Sequence, residues 1–221
     1  CQLHSQIAHV CAAASLAGKK IVYVMTDAAA LVGSFSRLVT ELKSNHLLSA
    51  SITVGQAFGG DYETVTVHSA LLAAKYFLNA DLVVISQGPG NVGTGTKYGF
   101  GGIEQASLLD TVAALGGLPI AVLRASSGDL RPRHQGISHH SRITLKLVRS
   151  ACVIPIPAGM IAPDIDHRHR LEEVSDLSGT FVLLDQHNIR VTTMGRDQNS
   201  DRLFFEMAAA SGKYASEVGG K

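Results

Sequence analysis

Along most of the chain, apolar runs of strand length alternate with segments whose apolar residues fall at helical spacing. Residues 20–25, 51–54, 82–85, 119–123 and 152–156 are short, β-branched and apolar, as buried strands are. Residues 3–17, 34–45, 65–78, 103–115 and 141–150 carry the helical period between them, with Gly18 and Gly116-Gly117 as stops. Further on, residues 171–177 read as a short helix, 181–184 and 191–194 as strands, 202–211 as a last helix and 216–221 as a frayed tail. Alternation at this spacing predicts right-handed βαβ units. The expected fold class is therefore α/β, a mostly parallel, doubly wound (Rossmann-like) sheet with helices on both faces, with residues 1–221 as a single domain. Because the chain opens on Cys1 rather than methionine, it is expected to be a fragment lacking a preceding N-terminal segment.

In such a sheet ligands bind outside the carboxyl ends of the strands. Most of the conspicuous glycines and polar residues fall in the segments expected there: Thr26-Asp27, 55–61, 87–102, 124–140, 157–159 and 195–197. The stretch 88–102 holds seven glycines, with Thr94, Thr96 and Lys97 among them. Dense glycine costs backbone entropy, so it marks unusual conformations or a surface that must approach a ligand closely. Unhindered amides with hydroxyls beside them form a nest for an anion. Gly88, Gly90, Gly93, Thr94, Gly95 and Thr96 are accordingly candidate ligand-binding residues. Gly88-Pro89-Gly90-Asn91-Val92-Gly93 fits G-x-G-x-x-G, yet more glycines follow where a dinucleotide fold opens a helix, and the acidic residue about 20 positions on, Asp110, falls inside a predicted helix. A phosphate-binding P-loop fails as well, since Thr96 stands between Gly95 and Lys97.

The second dense feature is basic. Arg131-Pro132-Arg133-His134 and His139-His140 lie just before a predicted helix, where guanidinium forks suit phosphate or carboxylate. Arg131, Arg133 and His134 are candidate anion ligands. His139 and His140, together with Asp27 and Asp61, are candidate proton-transfer groups. His-Ser pairs at His4, His68 and His140 offer candidate metal ligands, although serine beside a helix start is also a common N-cap. The sequence names no cofactor.

With 46% hydrophobic and 17% charged residues, the chain reads as ordered and globular. A net charge of +1 gives no general attraction to nucleic acid or to an anionic membrane. Three dispersed cysteines and the lack of a signal-peptide pattern or membrane-length apolar run point to a cytoplasmic protein with free thiols, and the apolar balance to a homo-oligomer.

The segments Tyr23-Val24-Met25-Thr26-Asp27, Ala57-Phe58-Gly59-Gly60-Asp61, Gly88 through Thr96, Gly102-Ile103-Glu104-Gln105, Arg131-Pro132-Arg133-His134, Gly136-Ile137-Ser138-His139-His140 and Thr192-Thr193-Met194-Gly195-Arg196 together resemble a bacterial family, the domain of unknown function 3866 family. That resemblance implies no activity, cofactor or catalytic residue, and it implies relatives with an additional N-terminal segment. The chemistry above points to an enzyme with a small anionic substrate, phosphorylated or carboxylated. A non-catalytic nucleotide- or metabolite-binding module and a structural homo-oligomer component are the alternatives.

Overall fold

The computed structural model describes residues 1–29 and 32–219. Its elements, in chain order, are α1 (Ile7–Ser15), β1 (Ile21–Thr26), α2 (Arg37–Ser44), β2 (Ala50–Val54), β3 (Tyr62–Thr64), α3 (Val67–Leu72), β4 (Leu82–Gln87), α4 (Gln105–Ala114), β5 (Ala125–Ser126), β6 (Gly136–Ile137), α5 (His139–Leu147), β7 (Val153–Pro157), β8 (Arg170–Val174), α6 (Ser178–Gln186) and α7 (Arg202–Val218).

Four parallel strands form the main sheet in the order β3-β2-β1-β4. Every residue of β1 is buried, as a central strand covered on both faces requires. Its side chains alternate between two cores. Ile21, Tyr23 and Met25 join α1 and α2, whereas Val22 and Val24 join α3 and Leu108 of α4. The fold is α/β and Rossmann-like. β1 is also where the strand order turns: β2 lies on one side and β4 on the other, with Thr26 opposite Gln87 at the carboxyl end.

The sheet does not run on unbroken. β7 and β8 form a separate parallel pair, to which Ile120 adds a single bridge at Val153. Between β4 and residues 120–122 lies an apolar cavity of about 440 Å³, lined by Leu82, Val84, Leu108, Val112 and Ile120 among others. The expected strand 119–123 is thus reduced to that one bridge. Three expectations nearer the C-terminus fail. The predicted helix at 171–177 is strand β8 in its first part, because Arg170-Leu171-Glu172-Glu173-Val174 pairs with β7 and turns Val174 into the core. The predicted strand at 181–184 lies inside α6, whose Phe181 and Leu184 are buried one helical turn apart. Residues 191–194 form no strand, only a turn closed between Thr193 and Arg196. The last helix runs on to Val218, past the expected fray at 216; residues 220–221 of that tail lie outside the described residues.

α1 and α7 join the two sheets. Ile7, Val10 and Ala14 of α1 sit in or beside the core of the main sheet, and Phe204, Phe205 and Ala209 of α7 pack on Val153. The two helices touch backbone to backbone: a Cβ placed on Gly212 would stand 2.8 Å from Val10 Cα and closer still to its carbonyl oxygen. On α1, His9 is buried between Phe181 and Phe205, at ring-centroid distances of 5.1 and 4.6 Å, and neither ring nitrogen has a hydrogen-bond partner among the described residues.

Two consequences are measurable. Gly212→Ala forces the helices apart and lowers stability by about 1–3 kcal/mol, read as a lower denaturant midpoint; an unchanged midpoint would refute the close approach. Burial pushes His9 down to about 3 and His4 down to about 4, so both are neutral in the folded chain at pH 6 while the unfolded chain begins to protonate them. Stability from each is therefore complete above about pH 6.5 and falls by up to about 1.4 kcal/mol per pH unit as the pH drops toward 4. His9→Leu should flatten the loss of melting temperature between pH 7 and pH 4.5; a slope equal to the parent's counts against this account.

Candidate functional site

The floor of the site is the turn in strand order. Thr26, at the end of β1, donates its hydroxyl to Glu104 Oε1 at 2.6 Å. Glu104 closes the short 3₁₀ turn Gly101–Glu104 that leads into α4. Burial pushes its carboxyl above the usual range, the Thr26 hydrogen bond opposes that rise, and the charge of Asp27 adds to it. Asp27 is exposed at the same strand end, its Oδ2 accepting from the Gln56 N–H at 2.9 Å. The two carboxyls thus stand in unequal surroundings, Glu104 half-buried and Asp27 exposed.

The glycine stretch divides into two parts. Gly88 passes against the Met25 side chain, where an added Cβ would meet Cε at 3.0 Å, and Gly90 has φ +126°, so here glycine is required. Residues 92–101 then fold back as a small hairpin, with Gly93 bridged to Phe100 and the Gly101 N–H donating to the Val92 carbonyl at 2.8 Å. At its exposed tip the Thr94 hydroxyl donates to the Gly99 carbonyl at 3.2 Å and meets the Thr96 hydroxyl at 2.9 Å, while Gly95, at φ +78°, makes the turn. Thr94, Gly95 and Thr96 thus serve the hairpin, and their hydroxyls are engaged within it. Pro89, Gly90 and Asn91, by contrast, line a cavity of about 320 Å³ together with His4, Arg37, Arg190, Thr192 and Thr193.

Phe100 carries the hairpin to the basic loop. Its ring stacks on His140 at 3.8 Å with planes 7° apart. His134, His139 and His140 cluster there, with ring centroids 5.0, 5.0 and 4.2 Å apart. His139 and His140 form the first turn of α5, whose N-cap Ser138 accepts from the His140 N–H and meets His134 Nδ1 at 2.7 Å. Burial comes first among the causes that push His134 down to about 4 and His140 down to about 3. The guanidiniums of Arg124 and Arg131 act next on His134; on His140, His139 and then Arg124 do so. His139 is lowered too, by burial and then by Arg133. All three imidazoles are neutral at pH 7.

The arginines are mostly committed. Asp129, 2% exposed, takes two hydrogen bonds from Arg131, at 2.9 and 2.8 Å, and also meets Arg196 at 3.2 Å and Arg124 at 3.5 Å. Arg131 is therefore first a partner of Asp129 and not a free clamp. Arg133 is exposed and makes no ion pair among the described residues. Asp201, fully buried, binds Arg196 Nε at 2.9 Å and accepts from the Ser126 hydroxyl at 2.6 Å.

Three predicted residues lie elsewhere. Asp61 pairs with Lys43 and accepts from the Ser51 N–H, near the amino ends of β2 and β3 and away from their carboxyl ends. Its position follows from the 55–61 loop running back along the sheet before β3 starts. The three candidate metal histidines do not come together: His4 binds Tyr23 and Ser36 at 3.0 and 2.7 Å, His68 is exposed on α3, and His140 alone joins the cluster. The sequence reasoning missed Glu104, Asp129, Arg190 and Arg196. Glu104, Asp129 and Arg196 lie in segments that the sequence had marked, at 102–105, 124–140 and 192–197, whereas Arg190 carried no signal.

Asp129→Asn leaves Arg124 and Arg196 without their shared charge, at a cost of about 3 kcal/mol by analogy with broken buried pairs. Urea unfolding checks this, and a loss below about 1 kcal/mol would show the arginines to be adequately solvated without it.

Compared with models of known families, residues 1–212 match the family described as "Protein of unknown function (DUF3866)". Searches among the curated proteins and among the solved structures gave no match. With nearly its whole length covered by that match, the chain belongs to the DUF3866 family.

Proposed function

We propose that the protein is an enzyme acting on a small phosphorylated or carboxylated molecule bound outside the carboxyl ends of β1 and β4. The observation that carries this reading is the cavity of about 320 Å³ lined by Pro89, Gly90 and Asn91, the residues that leave the carboxyl end of β4, together with Arg37, Arg190, Thr192 and Thr193. Ligands of open α/β sheets bind outside the carboxyl ends of the strands, which supports this cavity as the site, and its size suits a small metabolite. Arg190 is exposed and makes no ion pair among the described residues, so its fork is available to an oxyanion. Arg37 spends one contact on Glu41 at 3.0 Å and is itself largely exposed. Gly88 and Gly90 shape the backbone for close approach. Arg133 widens the positive field on the histidine side.

For the chemistry, Glu104 is the proton-transfer group this reading favours. A carboxyl raised by burial accepts or gives a proton near neutral pH more readily than an ordinary one. Asp27 beside it is exposed and suits the complementary role.

Isothermal titration with inorganic phosphate and a panel of phosphorylated and carboxylated metabolites tests the binding half. We expect at least one ligand to bind, and Arg190→Ala to weaken it about tenfold or more, the loss of one charge-assisted hydrogen bond. Titrations that are flat across the panel overturn the reading. Incubation of the bound ligand with protein, followed by mass spectrometry, tests the catalytic half. Turnover abolished by Glu104→Gln with binding retained supports an enzyme, whereas a ligand recovered unchanged favours the non-catalytic binding module.

A further inference from the structure

We propose that His134, His139 and His140 form a three-histidine centre for a divalent transition metal, zinc by its ligand chemistry. One ligating nitrogen from each ring lies within 4.8 Å of the others, and no other group of three or more such side chains is so placed among the described residues. Tetrahedral zinc with bonds of about 2.0 Å needs nitrogens about 3.3 Å apart. Small side-chain rotations close that difference.

Three further observations favour a metal over a merely packed cluster. His139 Nε2 is buried and has no hydrogen-bond partner among the described residues, an orphan of the kind native interiors rarely leave. His134 is oriented from behind: Nδ1 is bound at 2.7 Å by Ser138, which α5 holds rigid as its N-cap, and in the tautomer that donates from Nδ1 the Nε2 lone pair is free. Such outer contacts fix ring and tautomer in metal sites. His140 is held by the face of Phe100.

Three imidazoles leave a fourth position of zinc open, the arrangement of catalytic and not of structural sites. Arg133, next to His134 in the chain, is exposed and makes no ion pair among the described residues, and it would draw an anion to that position. This last step, the anionic fourth ligand, rests on the proposed reading of the site. The metal centre itself does not.

The test uses the chain purified without chelator. Inductively coupled plasma mass spectrometry should find about one zinc per chain, and chelation followed by cobalt(II) should give the intense visible bands of a four-coordinate site. Both should be lost in His139→Ala and in His134→Ala. His68→Ala, on an exposed helix position, should retain both, and circular dichroism of each variant separates ligand loss from misfolding. Phosphate titration of zinc-loaded and zinc-free protein then separates the two proposals: zinc without phosphate affinity keeps the metal centre and removes the anionic fourth ligand. Protein that arrives without zinc and gives no cobalt bands overturns the metal centre. So does a cobalt spectrum unchanged in folded His139→Ala. Iron, nickel or copper bound in place of zinc, and lost with the same variants, supports the centre and overturns the assignment of zinc.

Discussion

The contact between α1 and α7 is the constraint on which the arrangement of this protein rests. One helix packs on the main sheet and the other on the β7–β8 pair, and no backbone hydrogen-bond ladder joins the two sheets across the cavity beside β4. What fixes one sheet against the other is helix packing at a distance that only glycine at position 212 permits. Small residues surround that point: Cys11 and Ala12 to Ala14 on α1, Ala208 to Ser211 on α7, all buried. Interiors packed to crystal density transmit such a constraint with little slack. The hairpin after β4 meets the basic loop before α5 where Phe100 stacks face to face on His140.

A second constraint is electrostatic and sits around Asp129. Arg124, Arg131 and Arg196 come from three separate points of the chain, and one buried carboxylate, helped by Asp201, gathers them. The carboxyl is held well below the usual range, chiefly by its hydrogen bonds to Arg131. From sequence alone Arg131, Arg133 and His134 read as potential grips on a substrate. Instead Arg131 belongs with Arg124 and Arg196 to the frame that ties residues 124–134 to the turn at 193–196. A buried ion pair of this kind is poor evidence for extra stability but strong evidence for a fixed geometry, since removing one partner leaves charge stranded.

The legibility of the sequence follows the same physics. Strands β1, β2, β4 and β7 were plain because a strand buried on both faces is an uninterrupted apolar run. β8 was misread because Arg170-Leu171-Glu172-Glu173-Val174 lies at an edge, half exposed, and its strand character comes from pairing with β7 and not from its own pattern. Phe181-Val182-Leu183-Leu184 looked like a strand for the opposite reason: α6 is apolar on more than one side, and a short apolar run does not reveal its period. The glycines and the His-His pair lie in two loops that the fold brings together where Phe100 stacks on His140. Which hydroxyls, carboxylates and guanidiniums were already spoken for was invisible, because Thr94 with Gly99 and Asp129 with Arg196 are pairings made only by the folded chain.

These two constraints bear directly on whether a cation can sit among the three histidines. A doubly charged ion about 7 Å from one unscreened guanidinium meets roughly 5 kcal/mol of repulsion at an effective dielectric constant near 20. Three such neighbours would approach the about 10–16 kcal/mol that nitrogen and sulfur sites return on binding zinc. Asp129 and Asp201 offset two of the charges on Arg124, Arg131 and Arg196, so that with Arg133, which makes no ion pair among the described residues, two positive charges remain uncompensated. That residual charge, at about 5 kcal/mol for each unit, is a cost a three-imidazole centre can carry. It is also the feature that would favour an anion over neutral water at an open metal position, so the same carboxylate that withdraws Arg131 from the substrate makes room for the ion that would hold it.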